Sequence, residues 1–309
     1  MQWGGYLMRV SLVSKTVMAV LALCLLFSTG VDAKSPDITS VTSRQSDWEY
    51  AGFYLGADNQ VYDPKEVNLA SVPPIVPAQG ADNADEVWWF VNGAGNDVNM
   101  HLAVMQVIAD TTNRQVIGFH NHASKPIAEL LEMVVPFSPL GATLKKQILL
   151  RADEEGTDVH LLSSSQGAVY VSRAIKDVKR SLFFRYPFDK NRRQEILGRI
   201  EVETIGGAAH KWPSGPHYVH YANKLDNVPS LLGVMSPMSR LGKGTVIVRF
   251  EHQSDCYLNP CDTNGLASGP FAGILDLSTH AACVYLGKWH PFKEMYSWSD
   301  PKGIVIVDL

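Results

Sequence analysis

The sequence predicts an α/β fold, a mostly parallel central sheet with helices on both faces. Three observations carry that expectation. Val87–Val91 (VWWFV) is a continuous apolar run of strand length stopped by Asn92-Gly93, the pattern of a strand covered on both sides. Residues 101–110 place Leu102, Met105 and Ile108 at helical spacing, and Gln115–Phe119 is a second buried run. Strand-like and helix-like segments then keep alternating as far as residue 250, the sequence form of successive βαβ units.

Taken in order, residues 34–85 hold few periodic runs and contain the breaker cluster Ser71-Val72-Pro73-Pro74-Ile75-Val76-Pro77. They read as an N-terminal extension packed on the surface, with a short strand at residues 51–55. The α/β domain itself occupies residues 86–309. Within it, residues 144–152 read as a helix and residues 158–162 as a strand. Val171, Ala174, Ile175, Val178 and Leu182 then share one helical face. Ile200–Ile205, residues 218–222 and residues 244–250 are the remaining strand candidates before a last strand at the carboxyl end. No internal repeat or low-complexity tract interrupts the pattern.

The first 33 residues read as an address rather than as part of the fold. Arg9 and Lys15 precede an apolar run at residues 17–27, and a small and polar stretch places Val31 and Ala33 where a signal peptidase requires small side chains. Cleavage is expected after Ala33, because the run is shorter than the roughly 18 apolar residues that a spanning helix needs. The expected location is therefore secreted or periplasmic. A hydrophobic fraction of 46% excludes a disordered chain, and 4 Cys in 309 residues exclude a disulfide-stapled miniprotein. A formal charge of −4 leaves no basic footprint for nucleic acid. Cys256 and Cys261 flank a Tyr-Leu-Asn-Pro turn, and export favours their oxidation to a disulfide that closes a short loop, leaving Cys283 unpaired and buried. One CxxxxC without a second pair is not a zinc pattern.

The most informative stretch is Val159-His160-Leu161-Leu162-Ser163-Ser164-Ser165-Gln166-Gly167-Ala168. It orders a strand, a turn of small residues and an amphipathic helix, the context of a nucleophile elbow. The requirement is steric: a serine at the apex of so sharp a turn leaves space only for small residues two places before and after it. Ser165 meets this with Ser163 and Gly167, whereas Ser164 would have Gln166 in its second small position. The same geometry sets the Gln166 backbone N–H at the start of the following helix, where it can stabilise a developing oxyanion. The stretch resembles the GxSxG elbow of the α/β-hydrolases, above all the G-H-S-Q-G form of lipases, and departs from it in having Ser163 where Gly is usual.

A serine nucleophile needs a base, and the base an acid that orients it; in α/β-hydrolases the chain order is Ser, Asp or Glu, His. Asn223-Lys224-Leu225-Asp226-Asn227-Val228-Pro229 is similar to the N-x-x-D-x-V-P segment of class 3 lipases, preceded by Gly206-Gly207-Ala208 like that family's glycine-rich strand end. The resemblance implies Asp226 as the acid. His280-Ala281-Ala282-Cys283-Val284-Tyr285-Leu286 is similar to the family's H-x-x-x-x-Y-L segment and implies His280 as the base, with His252 and His290 as the other mature histidines beyond Asp226. The spacings of His210, His217 and His220, broken by Pro213 and Pro216, match no zinc pattern.

The second oxyanion donor is expected from the glycine-flanked loop Asn92-Gly93-Ala94-Gly95-Asn96, with Ala94 as its residue. Residues 127–135 and residues 231–241 are amphipathic segments, each able to serve either as a lid over an acyl groove or as a core helix. The resemblance covers residues 87–286 and implies a secreted serine ester hydrolase of lipase, phospholipase or carboxylesterase type. Such an enzyme acts through an acyl-enzyme on a small-molecule or lipid ester and needs no metal or organic cofactor. Transient contact with a lipid interface and the oligomeric state stay open. The rival reading is a catalytically silent α/β-hydrolase fold used as a secreted binding or host-interaction protein.

Overall fold

In the computed structural model the described residues are 50–80, 86–94, 96–121, 138–252 and 282–309, all within the unit Ser46–Leu309. The expected signal peptide, the Cys256 and Cys261 pair, the 127–135 segment and His280 lie outside them, as does the side chain of Cys283.

Among the described residues nine strands form one sheet: β1 (Tyr54–Leu55), β2 (Val61–Tyr62), β3 (Val87–Val91), β4 (Gln115–Phe119), β5 (Val159–Ser164), β6 (Ile200–Ile205), β7 (His217–Asn223), β8 (Thr245–Phe250) and β9 (Ile304–Asp308). Their order is β2-β1-β4-β3-β5-β6-β7-β8-β9. β1 and β2 are antiparallel additions at one edge, and every other neighbouring pair is parallel. The short strand expected at residues 51–55 is β1, and it joins the extension to the sheet through β4.

Helices cover both faces, as the sequence predicts. On one face lie α1 (Val98–Thr112), α6 (Ala282–Leu286) and α7 (Phe292–Tyr296). Leu102, Met105, Ile108, Val284, Tyr285, Phe292 and Met295 there pack on Phe90, Leu162, Ile205, Val219 and Val248 of the sheet. On the other lie α2 (Pro139–Ile148), which runs on as a π-helical turn over Leu149–Glu154, α3 (Gly167–Arg185) and α4 (Lys190–Gly198). Leu144, Ile148, Val171, Ile175, Val178 and Ile196 there meet Trp89, Val91, Ile117, Leu161 and Val202. β3 is thus apolar on both sides, which is why it reads as an unbroken run. A single-turn helix, α5 (Asn227–Leu231), follows β7.

The topology fixes where a site can form. β4 flanks β3 on one side and β5 flanks it on the other, so the chain reverses its direction of growth between β3 and β5. The carboxyl ends of β3 and β5 are therefore the switch point of the sheet, the usual place for ligands in open α/β sheets. Register brings the ends level: Val91 pairs with Phe119 of β4 and with Ser163 of β5. Asn92, Asn121 and Ser165 follow one or two residues beyond those partners, side by side at the carboxyl edge.

Candidate active site

Ser165 stands between the end of β5 and the start of α3 with a φ of +47°, a left-handed backbone in a residue that has a Cβ. That conformation costs roughly 1–2 kcal/mol in an L-residue and persists only where surroundings impose it. Here they do. The Ser165 N–H donates to the Ile205 carbonyl (3.3 Å), and its own carbonyl accepts from Ala208 N (2.9 Å) and Ala168 N (3.2 Å). The turn is therefore fastened to the end of β6 and to the first turn of α3.

Two glycines make room for it. A Cβ on Gly167 would come within 2.4 Å of the Val91 carbonyl oxygen and 2.6 Å of that of Asn92, so no larger residue fits two places after Ser165. A Cβ on Gly93 would meet the Ser165 Cβ at 2.8 Å. The backbone after β3 thus passes directly against the Ser165 side chain, with Ala94, half-buried, next along the loop. Ser163, where the family pattern has Gly, is buried with its Oγ 3.5 Å from the Glu203 carbonyl, so a hydroxymethyl is accommodated. Gln166 is the residue at the N-terminal cap of α3, a helix of 19 residues whose dipole places partial positive charge beside Ser165.

A network that no motif announced sits behind these groups. The Asn92 amide Oδ1 accepts from the Asn121 N–H (2.6 Å), and its Nδ2 donates to the carbonyls of Asn121 (2.9 Å) and Gly93 (3.1 Å). Asn121 Nδ2 in turn donates to Gln166 Oε1 at 2.7 Å.

Asp226 lies beyond β7, 1% exposed, as the N-cap of α5. Its Oδ1 accepts the Val228 N–H at 2.8 Å, and its Oδ2 accepts the Tyr285 hydroxyl from α6. Burial, then the Asp226 charge and its hydrogen bond, push the Tyr285 phenol well above its ordinary value, which keeps it a donor. Asp226 is therefore both a buried acidic group at the sheet's carboxyl edge and a cap of the turn ahead of Pro229.

No family model matches the sequence, and no curated protein matches it. Among solved structures, lipase B of Aspergillus fumigatus aligns at 11% identity with a TM-score of 0.29. The alignment covers 57% of this chain and 40% of that one, so the chain spans less than half the length of the lipase it matches. The functional reading accordingly rests on the chain's own geometry.

The histidines separate by environment. His252, half-buried just past β8, is held through its backbone, its N–H donating to Asn223 Oδ1 (3.2 Å) and its carbonyl accepting from Asn223 Nδ2 (2.9 Å). His290 stands 3.9 Å from Glu294, one helical turn along. His280 precedes α6 by two residues in sequence, and α6 carries the Tyr285 that reaches Asp226. His210, His217 and His220 contact the Leu232 carbonyl, the Tyr296 hydroxyl and the Thr204 hydroxyl respectively. Among the described residues no group of three His, Cys, Asp or Glu could hold a metal ion. Of the two lid candidates, residues 232–241 form turns rather than a helix, with Leu231 and Met238 exposed.

Proposed function

We propose that the protein is a serine hydrolase that cleaves carboxylic esters through an acyl-enzyme. The observation that carries this reading is the left-handed Ser165 at the switch point between β3 and β5, with a glycine loop against it and a helix start behind it. A strained non-glycine residue is retained where its side chain has work at that spot.

In the proposed reaction Ser165 Oγ attacks the ester carbonyl carbon while His280 takes its proton, with His252 as the alternative base. Asp226 orients the imidazole and balances its charge once protonated. The backbone N–H groups of Gln166 and Ala94 hold the carbonyl oxygen as it becomes an oxyanion. The histidine then returns the proton to the alcohol, which leaves. Water attacks the acyl-enzyme by the same route, and the carboxylic acid departs. Leu231 and Met238, exposed on the segment after Asp226, supply apolar surface suited to an acyl chain or a transient lipid contact. The same reading makes residues 1–33 a cleaved signal peptide, residues 34–85 an extension and residues 86–309 the catalytic domain of a secreted or periplasmic enzyme.

The test is a panel of esters graded by acyl length and head group, run on wild type, Ser165→Ala and Asp226→Asn. The reading expects turnover by wild type, loss of about 10³-fold or more in kcat for Ser165→Ala, and a smaller loss for Asp226→Asn. Equal rates for wild type and Ser165→Ala would remove Ser165 as nucleophile, and no turnover by folded wild type would leave the binding-protein reading.

A further inference from the structure

We infer that Asn121 is a positioning residue that sets both oxyanion-donating segments at once; the inference rests on Ser165 being the nucleophile. The β3–β4 ladder ends at Val91 and Phe119. Beyond that point the Asn92 side-chain amide replaces a rung of the ladder. It accepts from the Asn121 N–H and donates back to the Asn121 carbonyl, at 2.6 and 2.9 Å, and its third bond, to the Gly93 carbonyl, holds the loop that leads to Ala94. The Asn121 side chain is left to face the other way. Its Nδ2 donates to Gln166 Oε1 at 2.7 Å, across the space between β4 and the elbow.

The three side chains are 0%, 2% and 3% exposed, so water does not compete for these bonds. The loop that carries Ala94 and the helix start that carries Gln166 are distant in sequence, yet one residue joins them. Oxyanion donors act by being fixed before charge develops, so their spacing is what such a brace controls. The division of labour is specific: the Asn121 backbone serves Asn92, and the Asn121 side chain serves Gln166. Truncating that side chain leaves the rung intact and cuts only the link to the elbow.

The experiment compares wild type with N121A, Q166A and the double variant. It reads the acylation rate by a fluorophosphonate probe, kcat and KM on p-nitrophenyl butyrate, and thermal midpoint. Expected for N121A is a fall of about five- to tenfold in acylation rate and kcat, as for loss of one hydrogen bond, with KM within about twofold of wild type. Q166A should fall at least as far and the double variant no further than Q166A, because the Asn121 side chain acts through its bond to Gln166. If N121A does not fold, Asn121→Ser, which keeps a shorter donor, carries the same comparison and should retain intermediate activity. Wild-type rates in the folded Asn121 variants, losses that multiply in the double variant, or a raised KM at unchanged kcat would each overturn the inference while leaving Ser165 as nucleophile. A wild type that the probe does not label would overturn both.

Discussion

Ser165 is held in a left-handed conformation by its hydrogen bonds to Ile205, Ala168 and Ala208. A residue without a Cβ would adopt that conformation freely, so Ser165→Gly should raise folding stability by roughly 0.5–1 kcal/mol while abolishing hydrolysis. Denaturant midpoints of the two proteins would show it, and a less stable Ser165→Gly would mean that the turn carries no strain. The position is legible because the turn demands small residues two places before and after the serine, which Ser163 and Gly167 are, while the close approach of Gly93 comes from the fold. Asn121 was not legible. Its partners Asn92 and Gln166 stand 29 and 45 residues away, and only the strand order brings three amides with no shared motif together. Asp226 is an expectation from its segment alone, and that Tyr285 donates to its carboxylate depends on where α6 lands.

Elements were legible in proportion to how far burial dictates their composition. β3 begins and ends where its apolar run does, since both its faces are covered, while β4 and β6 match their expected bounds although β6 carries Glu201, Glu203 and Thr204. α1 extends beyond residues 101–110 at both ends: Asp97 caps its start, its side chain accepting from Met100 N, and left-handed Asn113 ends it, signals outside the apolar spacing. α4 left no apolar stripe to read, being a polar helix started by Asp189. Two consequences belong at this scale. α6 is fastened to the cap of α5 by the hydroxyl of Tyr285, so Tyr285→Phe should lower stability by about 1–3 kcal/mol and kcat more than KM; unchanged melting and turnover would deny that link any part. β6 also carries Glu203, fully buried, with its carboxyl pushed up by burial from its ordinary 4.5 to about 7. His160 of β5, Glu201 of β6, Tyr221 of β7 and the Trp289 N–H face it. The folded state keeps a proton that the unfolded chain releases, so this contribution is complete below about pH 4.5 and is lost as pH rises through about 7. His220 acts oppositely, since burial holds it down to about 3 and its contribution is lost as pH falls below its ordinary 6.5. Urea midpoints between about pH 6 and about pH 8 should therefore fall less for Glu203→Gln than for wild type, and parallel declines would show that Glu203 does not titrate there.

For the whole molecule, the sheet does not stop where the apolar alternation starts. Tyr54 and Leu55 are fully buried, Leu69, Val72 and Ile75 join the cores of the two faces, and β1 covers the edge of β4. The Tyr54 hydroxyl also accepts from Gln147 Nε2 of α2 at 2.8 Å. A chain begun at residue 86 would bare that edge and those contacts, so it should be insoluble or unfolded, whereas a chain begun at Ser46 should melt cooperatively. Circular dichroism melts of the two would decide, and a stable protein begun at residue 86 would make the preceding segment dispensable. Whether Ser165 is the nucleophile of this sheet is decided by intact-protein and peptide mass spectrometry after reaction with a fluorophosphonate. A single adduct on Ser165, absent in Ser165→Ala, is expected; an unlabelled folded wild type, or an adduct on Ser164 instead, would exclude Ser165 as the nucleophile.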